Sequence, residues 1–149
     1  MDVLAILKQN SRPVYTITGD HSVDDAIKLM TAKKAGALIV MADEDPTGIF
    51  TEKDVGRCYQ QAGNLALSEI KLSSVITLEF IAAKPTDSIR AAINLMIQSD
   101  IYHLPVVENN DIIGVLALKD LAEFQIASLM EEIRQLKDYI DDLHEAAQD

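Results

Sequence analysis

The residues of this chain whose types and spacing could do chemistry are few. Thr51 and Asp54 stand three apart in Thr51-Glu52-Lys53-Asp54, where an apolar stretch gives way to a polar one, and Lys119-Asp120 repeats the end of that run. A carboxylate in the first turn of a helix accepts two hydrogen bonds from a vicinal diol, while the exposed amides and positive end of the same helix draw a phosphate. Thr51 adds a hydroxyl donor, and Lys53 and Arg57 add charge if they turn toward the same space. The pattern has a plainer use: a Thr followed three residues later by an acid is also a capping box, which closes a helix start with no ligand. His103 precedes an apolar run and is either a satisfied core histidine or a contact in a site. Cys58 has no His close in sequence and reads as a bystander thiol rather than a nucleophile. His21 and His144 have no companion at metal spacing, so no metal site is expected. No Gly-rich phosphate loop and no paired nucleophile and base stand out, so an enzyme is the least favoured class.

These residues are organised by an internal duplication. Gly48-Ile49-Phe50-Thr51-Glu52-Lys53-Asp54 returns 66 positions later as Gly114-Val115-Leu116-Ala117-Leu118-Lys119-Asp120. The same offset carries Ser22 onto Ser88, Ala26 onto Ala92, Met30 onto Met96, Leu38 onto Leu104 and Val40 onto Val106, giving 11 identities over the 33 positions 22–54 without a gap. Unrelated segments share roughly one position in twenty, so the likeness is a repeat.

Each copy predicts strand, helix, strand, strand, helix. Residues 14–17 read as a short strand, and Ser22 caps a helix whose Val23, Ala26, Ile27 and Met30 share one face. The continuous apolar run 37–41 suits a strand covered on both faces, 43–46 a turn, 47–50 a returning strand, and a helix starts near Thr51. The second copy repeats the order, with strand material in 75–82 and a buried strand at 104–107. Residues 1–13 are a helical lead-in, 14–60 and 75–125 the two copies, and 61–74 a linker with a short helical turn. Neither copy hides its apolar faces alone, so the two are expected to pack together about a pseudo-twofold axis as one domain. Residues 126–149 depart from the repeat: Ile126, Leu129, Ile133, Leu136, Ile140, Leu143 and Ala147 alternate spacings of three and four, the heptad pattern of a coiled-coil seam. Self-association into a homodimer is the expectation, with folding back onto the body as the alternative.

The chain has 149 residues, 48% of them apolar, which is enough for one real core. A formal charge of −11 argues against a sequence-independent grip on nucleic acid or an anionic membrane. A single cysteine excludes an intrachain disulfide, no apolar run is long enough to span a bilayer, and the first residues lack a signal-peptide pattern, so a soluble, cytoplasmic protein is expected.

The duplicated helix ending in Leu-Met, the run Leu104-Pro105-Val106-Val107, and the Gly-x-x-x-x-x-Asp motif at Gly48 and Gly114 together resemble a pair of cystathionine β-synthase (CBS) domains, the Bateman module, over roughly residues 14–125. The flanking helices look like those of the small stand-alone bacterial members. The resemblance implies an α/β (α+β) fold of tandem repeats with a long C-terminal helix, and a regulatory binding module rather than a catalyst. It implies an adenosine-containing ligand, such as AMP, ADP, ATP, S-adenosylmethionine or NAD(H), bound between the repeats, with no obligate cofactor, and an effector protein whose identity the sequence does not give. In that family the closing Asp holds the ribose hydroxyls, the Ser or Thr three before it reaches a phosphate, and residues before the opposite buried strand wall the adenine. Carried over, the first cleft uses Thr51 and Asp54 with Ile101, Tyr102 and His103, and the second uses Asp120 with Ala35, Gly36 and Ala37. Ala117 stands where the hydroxyl residue belongs, so the second cleft is expected to bind weakly or not at all. Tyr102 is bulky for its place and either stacks on a base or fills the pocket.

Overall fold

A computed structural model describes residues 2–10, 12–76 and 81–148. Helix α1 (Val3–Gln9) leads into strand β1 (Thr16–Thr18), helix α2 (Val23–Lys33), strands β2 (Ala37–Ala42) and β3 (Asp45–Thr51) and helix α3 (Glu52–Ala62). Two single 3-10 turns, Leu67–Glu69 and Leu72–Ser74, cross to the second copy. It comprises α4 (Ile89–Ser99), β4 (His103–Glu108), β5 (Asp111–Ala117) and α5 (Leu118–Gln148). Ser22 and Ser88 cap α2 and α4, their hydroxyls accepting from the backbone N–H of Asp25 and Ala91 at 3.0 Å each. Both helices end on a left-handed residue, Lys34 and Asp100, again 66 apart.

The duplication extends to the register of the sheets. β2 pairs antiparallel with β3, Ala37 opposite Thr51 and Leu38 opposite Phe50, and the ladder slips between Val40 and Met41. β4 and β5 repeat this at the same offset, His103 opposite Ala117, with the slip between Val106 and Val107. β1 lies parallel to β2 with Ile17 opposite Val40, and Ala83 makes the matching parallel bridge to Val106. The strand expected over 75–82 falls largely on residues 77–80, which lie outside those described.

The hydrophobic effect closes each half with a segment borrowed from before the other. Val3 and Ile6 of α1 are buried with Ala83, Ile89, Met96, Leu104 and Leu116 in the core of the second copy. Leu72, 66 residues beyond Ile6, is buried with Val23, Leu38 and Phe50 in the core of the first. The exchanged lead-ins cover sheet faces that each copy alone would leave wet, and they tie the halves into one body. α1 is held by backbone bonds from Val3 N–H to the Asp87 carbonyl at 2.9 Å and from Leu4 N–H to the Pro85 carbonyl at 3.1 Å.

The helix that closes the second copy and the C-terminal heptad helix are one continuous α5 rather than two elements. Leu121 is buried in the core, with Leu118 and Phe124 packed beside it, while Ile126 and every seam residue to Leu143 are exposed. No residue in 118–125 carries a helix-stopping signal, which is why the first helix runs on into the second. Among the described residues no helix is long and apolar enough to cross a membrane.

Candidate functional site

β3 delivers Thr51 to the N-terminus of α3 in extended conformation, and Asp54 follows at the third helical position. The Asp54 Oδ2 accepts from the Thr51 N–H at 2.9 Å and from the Thr51 hydroxyl at 3.2 Å, so the capping use of the motif is realised. Its Oδ1 accepts from the Arg57 guanidinium at 3.3 Å, and the same nitrogen donates to the Val75 carbonyl at 2.6 Å. A carboxylate has about four lone-pair positions, so these three contacts leave it able to accept more. The carboxylate faces a cleft of about 380 Å³ whose walls come from both copies: Thr51 from the end of β3, Lys53, Asp54 and Arg57 from α3, and Ile101, Tyr102 and His103 from the entry to β4. This is within the usual range for small-molecule sites, about 300–1,000 Å³. The sequence-predicted residues of the first cleft therefore do converge.

Tyr102 stands at the mouth, 54% exposed, with the Lys53 ammonium 5.2 Å from its ring centroid. Lys53 also donates to the carbonyl and the carboxylate of Asp100, both at 2.6 Å, and that bond holds its pKa above the ordinary lysine value. The aromatic face and the cation are thus presented together at one edge of the cleft.

The second cleft is the counterpart of the first and is half its size, about 190 Å³. Ala35, Gly36 and Ala37 line it as expected, with Arg12, Tyr15 and Lys34. Asp120, expected in this cleft, is not among the residues that line it: its side chain is 11% exposed and is drawn into an ion pair with Arg12 at 3.3 Å. Ala117 lines the cleft where the first has Thr51.

Sequence reasoning missed Asp100, Ser99 and Ile81 in the first cleft and Arg12 in the second. The 66-residue offset sets Ser99, Asp100 and Ile81 over Lys33, Lys34 and Tyr15, all of which line the second cleft, so the repeat itself held that signal. Arg12 has no such signal, being 108 positions from its partner. Cys58 is buried, and burial pushes its thiol pKa up, in keeping with a packing role.

His103 lines both clefts and stands between them. Its Nδ1 is buried and has no hydrogen-bond partner among the described residues. Its Nε2 lies 2.7 Å from where a Cβ on Gly36 would stand, so only a glycine at 36 leaves the ring its place. Desolvation lowers the pKa of His103 below the ordinary 6.5, partly opposed by Glu52 and Asp120 and reinforced by Arg12. The folded protein thus takes up this proton later than the unfolded chain as pH falls. The contribution of neutral His103 to stability is complete above pH 6.5 and is lost as pH drops from 6.5 through the folded value. In urea titrations over a pH series, His103→Gln is expected to flatten that part of the profile. An unchanged slope would assign the pH dependence to other groups.

Comparison with known proteins comes out on the same lines. The family model for the CBS domain matches residues 5–59 and 72–127. The CBS domain-containing protein YhcV of Bacillus subtilis is 29% identical over 115 residues, covering 77% of this chain and 81% of YhcV. A CBS-domain-containing protein from Agrobacterium tumefaciens superposes with a TM-score of 0.75 at 28% identity, covering 84% of this chain and 99% of that one. A CBS domain pair crystallised with 5′-methylthioadenosine and S-adenosyl-L-methionine has a TM-score of 0.72 at 20% identity, a likeness of fold, covering 86% and 98%. Other relatives are longer, and the chain spans 62% of one and 21% of another.

Proposed function

The chain belongs to the CBS-domain family, and from that premise we propose that it is a regulatory module that binds an adenosine-containing ligand in its first cleft and passes the ligand state to a partner protein as a homodimer. The observation that carries this reading is the Asp54 carboxylate, set in the first turn of α3 at the wall of a cleft of about 380 Å³ that Ile101, Tyr102 and His103 close from the opposite copy. A ribose diol bridges the carboxylate oxygens, the base lies along the apolar wall with Tyr102 at its edge, and a phosphate meets Thr51, Arg57 and the start of α3. Lys53 and Arg57 balance Asp54 and Asp100, so the cleft is close to neutral and suits a ligand of low charge, such as AMP or S-adenosylmethionine, better than a triphosphate. The second cleft, half the size of the first and lacking the threonine, favours one ligand per chain.

A second reading is a scaffold that binds no ligand, and the Thr51–Asp54 cap favours it, since the motif already has a structural use. Calorimetric titration with AMP, ADP, ATP, S-adenosylmethionine and NADH separates the two. The sensor reading expects saturable binding of at least one compound with one site per chain, and thermal stabilisation equivalent to about 2.7 kcal/mol at a hundredfold excess over Kd. A flat response to all five leaves the scaffold.

A further inference from the structure

The seam of α5 is fully formed and uncovered. Ile126, Leu129, Ile133, Leu136, Ile140 and Leu143 are between 45% and 64% exposed. Leu118, Leu121 and Phe124 pack the start of α5 on the body, and the seam begins roughly 110° around the helix from the middle of that packed face. The seam thus lies to one side of the packed face, its own chain does not cover it, and there is room for a second helix beside it. The exposed part of α5 is about 34 Å long at 1.5 Å per residue, some three heptads, too short to hold a dimer without help from the bodies.

We propose that α5 pairs with α5 of a second copy of this chain as a parallel, in-register, two-stranded coiled coil. This rests on the dimer reading above and adds its orientation. Written as a heptad, the seam places Ile126, Ile133 and Ile140 at three successive a positions, with Ala147 at the fourth, and Leu129, Leu136 and Leu143 at the d positions between them. Isoleucine at a with leucine at d is the arrangement that favours parallel dimers over trimers and tetramers, because the β-branched side chain packs well only in the a layer of the two-stranded form. The flanking charges choose the same orientation. Glu132 falls at g and Lys137 at the following e, and in a parallel pair each g residue faces the e residue five further along the other helix, so two Glu132–Lys137 ion pairs form between the chains. An antiparallel pair sets g against g and e against e, which removes both. Within the chain, Arg134 pairs with Glu131 and Asp138 on the outer face, while Glu132 and Lys137 make no ion pair among the described residues. Met130 and Tyr139, exposed at e and g, widen the apolar strip. The arrangement sets the two bodies at the same end of the coil.

Cysteine crosslinking in the full-length chain tests this, since no residue in 126–143 is buried and substitutions there leave the body intact. The buried Cys58 stays in place, and the wild-type chain is the control for it. Leu143→Cys and Leu129→Cys are each expected to form an interchain disulfide with themselves under mild oxidation, and a mixture of the two to form no preferred mixed disulfide. Lys137→Glu is expected to weaken the dimer roughly tenfold or more by sedimentation, and Glu132→Lys in the same chain to restore it. Preferential mixed crosslinks overturn the orientation and leave a dimer. A dimer mass unmoved by Ile133→Glu, with no crosslinks, overturns the coil and leaves a dimer held by the bodies. A monomer mass for the wild-type chain overturns both readings.

Discussion

Gly114→Val is expected to lower stability by about 2–4 kcal/mol, a fall of roughly 5–15 °C in Tm for a domain of this size. A Cβ at position 114 would stand 2.3 Å from Leu7 Cδ1, 2.8 Å from Cδ2 and 2.9 Å from Cγ. The whole end of the half-buried leucine has to move, and the helix that carries it is held in place. Leu7 sits on α1, which is fixed at its start by backbone bonds to Asp87 and Pro85 and by the full burial of Val3 and Ile6. If the clash lifts α1, Val3 and Ile6 lose burial worth about 1.5–3 kcal/mol each, so the strain is shared between a bent side chain and a loosened helix. Leu7→Ala removes the clashing methyls, so in the Gly114→Val background it is expected to cost less than in the wild type. A double-mutant cycle by urea unfolding reads the difference as a coupling of opposite sign to the single losses. Strict additivity would mean that α1 does not lie over β5 in solution.

This contact also shows what a repeat can and cannot tell a reader of sequence. The offset of 66 residues foretells both strand pairs and both helix caps, because these follow from local pattern copied twice, whereas the meeting of Asp54 with Ile101, Tyr102 and His103 is implied only by the resemblance to the CBS pair. Gly48 and Gly114 belong to the same motif, yet nothing in the string says that Leu7, over a hundred positions earlier, fills the space above Gly114. The exchange of lead-ins is a tertiary solution to two exposed sheet faces, and such solutions leave no local periodicity. The Arg12–Asp120 pair is of the same kind. The continuity of α5 is hidden differently: residues 118–125 follow the repeat and 126–149 the seam, and the apolar face changes side between them, but a change of face breaks no backbone hydrogen bond and the helix does not stop.

Asp54→Ala is expected to weaken binding of the adenosine ligand by about two to four decades, since two hydrogen bonds to a charged acceptor are lost at about 1.5–3 kcal/mol each. The variant also loses the bond that the Thr51 N–H donates to Asp54 Oδ2, worth about 0.5–2 kcal/mol as a helix cap, so its own Tm falls whether or not a ligand exists. Lower stability alone therefore decides nothing, and the useful readout is the increment of Tm on adding ligand. In the sensor reading that increment disappears; in the scaffold reading there is none in the wild type either. Thr51→Val refines the test, because it removes the hydroxyl contact but keeps the backbone donor to Asp54, and it is expected to cost about one decade, with phosphorylated ligands affected and S-adenosylmethionine spared. Asp120→Ala, which removes the ion-pair partner of Arg12 in the other cleft, serves as the control. It frees Arg12 and shortens no contact of the first cleft, so affinity and stoichiometry should stay as in the wild type. Were Asp120→Ala to abolish binding while Asp54→Ala did not, the ligand would sit in the smaller cleft, with Arg12 rather than a helix start as its anchor.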